Sequence, residues 1–534
     1  MEYTAPASAP AERRGASIVM ACLGVFISYL PITTVAVSLP AIQRALGAST
    51  AQLSWVQDAF VLPMAALILT AGVVGDVHGR KKVYQAGLVF AAAGAVLALC
   101  AHSIGLLWAG QALSGLGSAA LLPTTLALIS HTVPNPRERG KFIGLWAMAL
   151  LAALAIGPVI AGVLLQHVTW RWIYLPTVPA ALAVLAASVP LLTDSRAPHG
   201  RRLDWPGQIT AALAITALVY GVIEGGAGSF TQSKVLAALG VAAVSLAGFI
   251  VVELRSGSPM LNLRLLRVPA FTATALIAMI TFLALIGFFF VLSLYFGMVQ
   301  QLTTLQAGSR LLLVPVAAII AGVPAGRLMH VISPRAMITG GLVLIGGSML
   351  ALTTLDATTS FAAVSWKLII LGLGMGAVTT PMTAAAVASV PHHLAGMAAA
   401  ANNAFRQVGG ALGPALLGAL LTTRALHTLP AHLAATGLTA AQQHEVTATA
   451  HTGGLAALAT MNLGGAATGQ MYTALSAALI DGLHLCLIIA TILTGLATLC
   501  ALVLLRRPRQ RPGDAPAAAQ RSAHTAGAPQ HTHR

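Results

Sequence analysis

Fourteen apolar stretches, most about twenty residues long, run through this 534-residue chain between short charged or turn-rich breaks. Such a stretch matches the thickness of a bilayer core, where every backbone amide must find its partner inside its own segment. The pattern therefore predicts an all-α integral membrane protein. The cores fall near 17–39, 52–74, 84–102, 104–130, 142–166, 172–193, 205–224, 234–254, 269–297, 308–330, 337–355, 362–388, 397–423 and 476–505. Composition agrees: 57% of residues are apolar and 8% charged, against roughly a quarter charged in a soluble domain. The longest polar loop is expected at 424–475, and residues 506–534 read as a disordered Arg-, Pro- and Ala-rich tail.

A net charge of +16 would suggest nucleic acid in a soluble protein. Its placement argues otherwise. An even number of spans puts both termini on one side, and 22 of the 29 Lys and Arg residues fall on that side. This asymmetry is the positive-inside rule, so residues 1–16 and the tail are expected to be cytoplasmic. Arg13 and Arg14 precede an apolar run too long for a cleavable signal. Cys22, Cys100, Cys486 and Cys500 lie in apolar runs and read as small buried hydrophobes.

The string GPVIAG at Gly157–Gly162 recurs as GPALLG at Gly413–Gly418, a shift of 256 residues that also maps Gly140 onto Gly396. Span five thus corresponds to span thirteen. That predicts two related six-helix halves, 17–193 and 269–505, with spans seven and eight (205–254) inserted between them.

These residues resemble the major facilitator superfamily, and within it the fourteen-helix drug:proton antiporter family. The likeness is sharpest in GVVGDVHGRKK, between spans two and three, at Gly72, Asp76, Gly79, Arg80 and Lys81. There glycines permit a tight turn, and Asp76 is placed to cap a helix or pair with a neighbouring base as a breakable latch. Gly157, Pro158 and Gly162 resemble the antiporter motif of span five, where small residues let helices approach closely and proline kinks one. WRWIYLPTVP at Trp170–Pro179 and NNAFRQVGGALGP at Asn402–Pro414 match at equivalent places. The chain departs from the family where span one usually carries an acid and an asparagine, here Pro31 and Ala36. It departs again where span four carries an arginine and a glutamine, here Gln111 and Ser114.

The resemblance implies a proton-coupled exporter of small lipophilic or cationic compounds, acting as a monomer in a bacterial inner membrane with no cofactor. The alternative is a transporter of one specific metabolite, which the missing span-one acid and span-four base favour. A channel or receptor fits the two-half repeat less well. No phosphate loop is present, because Gly140-Lys141-Phe142 lacks the flanking Gly and Ser/Thr, so no nucleotide is expected. His392-His393 and the tail histidines lack the spacing of a metal site and read as ordinary loop residues.

An ionised side chain at the bilayer centre costs roughly 3 kcal/mol or more, so intramembrane charges are functional candidates. Asp58, in span two, lies 18 residues before Asp76, roughly 27 Å along a helix. Pro31 lies at a similar depth in span one, so Asp58 is placed to replace the missing acid, exchange a proton and sense cationic cargo. The competing reading is a solvated acid near the outer mouth. Arg406, in span thirteen, is expected to use Asn402 or Asn403 as its acceptor, in either a structural or a substrate role. Glu224 and Asp481 read as interfacial residues, with Glu224 a secondary coupling candidate. Phe60, Gln111, Phe289, Tyr295 and Asn402 are candidate cavity residues. Span nine is aromatic at Phe282, Phe288, Phe289, Phe290, Tyr295 and Phe296, and at least one of its three consecutive phenylalanines is expected to meet lipid.

Overall fold

The computed structural model describes residues 11–133, 136–195, 203–257, 259–329, 331–390, 395–458 and 461–505. Helix fills almost all of them. In order they are α1 (Ala11–Leu46), α2 (Thr50–His78), α3 (Arg80–Leu99), α4 (Ile104–Thr132), α5 (Pro136–His167), α6 (Thr177–Leu191), α7 (Trp205–Ala227) and α8 (Ser233–Arg255). Then come α9 (Pro269–Leu294), α10 (Thr304–Leu311), α11 (Leu313–Leu328), α12 (Pro334–Leu352), α13 (Phe361–Ala388), α14 (Ala395–Ala434), α15 (Ala440–Ala457) and α16 (Gly465–Leu504). Fourteen stretches among the described residues are long and apolar enough to cross a membrane, the number the sequence predicts. Helices α10 and α11 together make one crossing, and α15 makes none. The expected tail at 506–534, most of the N-terminal segment 1–16, and His392-His393 lie outside the described residues.

The predicted loop at 424–475 is a correction. Helix α14 continues to Ala434, α15 occupies part of the gap, and α16 starts at Gly465. Leu421, Ala425, Leu429 and Leu433 are all buried at four-residue spacing, so an apolar stripe carries α14 onward beneath its Thr and His residues. His432 and Asp481 then tie α14 to α16 at 2.7 Å, which puts Asp481 well inside α16 rather than at its start.

Burial sorts the bundle. The apolar windows of α9, α1 and α14 are 83%, 78% and 72% buried, whereas that of α8 is only 11% buried, so α8 lies at the rim of the bundle, packed on α7. Because α9 is enclosed on every side, Phe288, Phe289 and Phe290 are all buried, contrary to the expectation that one meets lipid. Of the cysteines only Cys486 is buried, and Cys100 is exposed where α3 ends.

The repeated motif makes matching contacts. A Cβ on Gly157 would collide with Thr33 and Thr34 of α1, and one on Gly413 with Leu283 and Gly287 of α9. One on Gly162 would lie 2.6 Å from the Leu305 Cα in α10, and one on Gly418 2.7 Å from the Ser54 Oγ in α2. Each Gly-Pro helix therefore packs on one helix of its own part of the chain and reaches one from the other part. At Gly413 and Gly162 the nearest atoms are backbone, an approach only glycine allows, while at Gly157 and Gly418 they are the hydroxyls of Thr33 and Ser54. The starts of α2 and α10 match too: Ser49 with Gln52, and Thr303 with Gln306, each form a reciprocal capping box.

Alternate crossings give the bundle two ends. One carries the α2–α3 turn and is called the motif end. The other carries the α9–α10 and α12–α13 connections and is called the far end.

Candidate functional site

At the motif end, α2 stops at Gly79, whose φ of 111° is one that side-chain-bearing residues rarely adopt. Arg80 then begins α3, and its guanidinium donates to the Asp76 Oδ1 at 2.9 and 3.1 Å. Asp76 is inside α2 and pairs with its neighbouring base rather than capping a helix. The segment after α6 completes the clasp. The Arg80 amide donates to the Ser195 carbonyl at 3.0 Å, the Lys81 amide to the Asp194 Oδ1 at 3.3 Å, and the Lys81 Nζ to the Val189 carbonyl at 2.7 Å. The Asp194 carboxylate fills the space a Cβ on Gly79 would need. Arg14 and Glu138 join α1 to α5 at the same end, 2.5 Å apart. Asp194→Ala is expected to leave the protein folded and to lower transport roughly fivefold, the size of one ordinary hydrogen bond. Transport rate per folded molecule, measured with a thermal-unfolding control, checks this.

Asp58 lies in α2 with no solvent exposure, and neither carboxyl oxygen has a hydrogen-bond partner among the described residues. The competing picture of a solvated acid does not match that burial. Residues 54, 58 and 61 share one face of a helix. Ser54 and Val61 of that face lie against Gly418 and Gly410 of α14. Asp58 thus belongs to the α2 face that meets α14, at the height of Gly413 and Pro414. On adjoining faces, the Gln57 Nε2 donates to the Ile32 carbonyl of α1 at 3.5 Å, and the Gln111 Nε2 of α4 donates to the Val56 carbonyl at 3.2 Å. Phe60 is buried beside Gln111 around a gap of only about 10 Å³, too small for an organic molecule.

Arg406 of α14 is 4% exposed. One guanidinium nitrogen donates to the Thr383 hydroxyl at 3.0 Å, and the group stacks 4.9 Å from the Phe282 ring of α9. The Tyr29 hydroxyl lies beside it and accepts from the Gln407 Nε2 at 2.8 Å. Neither asparagine is the acceptor the sequence suggests. Instead the Asn402 Nδ2 donates to the Thr274 carbonyl at 3.1 Å, because α9 and α14 pack through glycines and bring α9 carbonyls within reach. The register of α2 against α14 places Arg406 level with residue 65, so it stands roughly 10 Å nearer the motif end than Asp58.

A cavity of about 350 Å³ opens at the motif end. Gly72, Asp76 and Arg80 of the clasp line it, together with Pro123 and Thr124 of α4 and Asn403 of α14. It therefore runs from the clasp to within one helical turn of Arg406. The remaining candidates lie elsewhere. The Tyr295 hydroxyl donates to the Asp356 carbonyl at 2.6 Å in the far-end α12–α13 loop. Hydroxyls and an amide of Thr358 and Thr359 hold the Asp356 carboxyl below the usual carboxylate range. Glu224 pairs with Lys234 at 2.6 Å in the α7–α8 turn at the far end. Phe289 is buried against Phe288, ring centroids 6.1 Å apart. Sequence reasoning missed Asp194 and Ser195 as the clasp's receiving segment, Thr383 and Tyr29 as partners of Arg406, and the role of Asn403. An acid two residues beyond an apolar run was the one available hint of the first.

Residues 21–414 match the model of the Major Facilitator Superfamily. The chain is 32% identical over 428 residues to the tetracenomycin C resistance and export protein of Streptomyces glaucescens, covering 80% of this chain and 79% of that one. It is 30% identical over 509 residues to the multidrug efflux pump LfrA of Mycolicibacterium smegmatis, covering 95% and 99%. In fold it is similar to a bacterial homolog of the human lysosomal transporter Spinster, with a TM-score of 0.60 at 16% identity, covering 92% and 98%.

Proposed function

The chain belongs to the Major Facilitator Superfamily, and on that premise we propose that it is a proton-driven exporter of small lipophilic compounds, drugs and antibiotics among them. Two relatives whose names describe export or efflux, alignable over most of its length, support the cargo class. The coupling step rests on one observation, the buried and unpartnered Asp58 on the face of α2 that meets α14. An ionised carboxylate without a partner is costly in such surroundings. Binding a proton removes that cost and lets α2 and α14 close. Releasing it demands water or a cation, and the two helices part. Two alternating packings that differ by one proton are what a proton-driven carrier requires.

In this reading the halves are 17–193 and 269–505, with 205–254 an inserted pair, and their reciprocal Gly-Pro contacts support the division. The motif end is cytoplasmic, along with both termini, in a bacterial inner membrane, and one chain suffices. Cargo enters the cavity at the motif end. The clasp of Asp76, Arg80 and Lys81 on residues 189–195 breaks and reforms as the halves rock. Dye efflux from cells expressing the protein tests the reading, with ethidium and fluorescein as probes. A protonophore is expected to stop efflux, and efflux that persists in its presence would contradict a proton-driven mechanism.

A further inference from the structure

A buried guanidinium ordinarily has a carboxylate beside it, because an unpaired ion in a low-dielectric interior is costly. Arg406 has none: among the described residues it joins no ion pair, and its Nε atom has no hydrogen-bond partner. Among the described residues the other buried Lys or Arg is Lys367, whose Nζ donates to the Thr354 hydroxyl at 2.7 Å near the far end. Arg406 instead has only neutral neighbours, the Phe282 ring at 4.9 Å and the Thr383 and Tyr29 hydroxyls. One turn toward the motif end, Asn403 lines the cavity, and its side-chain oxygen is also unpartnered. The cavity wall at Asn403 thus lies one helical turn from a fixed positive charge and an aromatic ring, both buried behind it.

We propose that Arg406, with Phe282 and Asn403, forms a cargo site for aromatic acids, compounds that carry a carboxylate or an ionised phenol on a flat ring system. The site deepens the exporter reading and rests on it for the cargo's route. A guanidinium binds a carboxylate through parallel hydrogen bonds. The Phe282 ring offers a stacking surface for the cargo's rings, while the free Asn403 oxygen accepts from a hydroxyl. The cationic compounds expected from the sequence meet a like charge here. Moving an anion out as a proton moves in also carries net positive charge inward, so membrane potential adds to the drive.

Two xanthene dyes of opposite charge provide the test: fluorescein, an anion, and rhodamine 6G, a cation. Binding is followed by fluorescence anisotropy with the purified full chain in lipid nanodiscs, so the result does not depend on coupling. Wild type is expected to bind fluorescein about tenfold or more tighter than rhodamine 6G, one desolvated charge contact being worth at least that. Arg406→Gln is expected to lose that preference, and Arg406→Lys to keep part of it. Tighter rhodamine 6G binding by wild type, equal weakening of both dyes in Arg406→Gln, or binding of neither dye overturns the site. If Arg406→Gln does not fold, the wild-type preference alone decides. Proton-driven flux of rhodamine 6G without a fluorescein preference sinks the acid site and leaves the exporter standing. Fluorescein binding without any proton-driven flux does the reverse.

Discussion

Asp58→Asn is expected to fold and still bind cargo, and to lose proton-driven accumulation. Asparagine keeps the shape of the buried side chain but cannot take up or release a proton. Moving one charge down a potential of 100 mV supplies about 2.3 kcal/mol, so removing one coupled proton lowers the attainable cargo gradient roughly fiftyfold. The pH response should disappear with it. Wild-type export should fall as the outside is made more alkaline, because Asp58 is then reprotonated less often from that side. The asparagine variant should show a flat profile. Accumulation ratios across a series of imposed pH gradients check both points, and a variant that still follows the gradient would remove Asp58 from the coupling step.

Gly413→Leu is expected to abolish transport by a different route, by forcing α14 away from α9. A Cβ there already lies 2.7 Å from the Leu283 carbonyl oxygen and the Gly287 amide nitrogen, so the conflict is with backbone that no rotamer change relieves. Overpacking on this scale costs about 3 kcal/mol or more. Gly157→Leu should cost less, since the nearest atoms there are the Thr33 and Thr34 hydroxyls of α1, with the Thr34 amide next at 3.0 Å. Gly240→Leu on α8 is the control, since nothing lies within 4 Å of a Cβ there. Thermal unfolding in detergent, together with the monodisperse fraction, reads the effect. Equal stability of the Gly413 and Gly240 variants would mean that the close approach of α9 and α14 is dispensable.

Crossings were legible in the sequence because a bilayer leaves the backbone one solution, and hydropathy alone then locates fourteen helices. The close contacts of the GPVIAG and GPALLG strings were legible because tight helix packing favours glycine, which stands out even in a chain rich in small residues. Helix ends were less so. The α14 extension exposes Thr423, Arg424 and His427 above a buried Leu and Ala stripe, and average polarity hid the stripe. For the site, an acid or base inside an apolar run announces itself, so Asp58 and Arg406 stood out. Their partners did not. Arg406 finds Thr383, Phe282 and Tyr29 on three other helices, and the α2–α3 motif finds Asp194 and Ser195 over a hundred residues away. Such pairings depend on helix rotation and register, which spacing along one helix does not encode. The missing span-one acid is the instructive case: a neighbouring helix offers a buried carboxyl at a similar depth, at Asp58.

The central claim, that a proton gradient drives organic cargo through this protein by way of Asp58, is tested most directly in proteoliposomes of the purified chain. Rhodamine 6G and fluorescein are presented outside, the pH gradient is imposed in either direction, and uptake is followed with and without nigericin. The account predicts uptake of at least one dye in one direction of the gradient, abolished by nigericin and absent in Asp58→Asn. Uptake that ignores nigericin, or that survives the substitution unchanged, would contradict it.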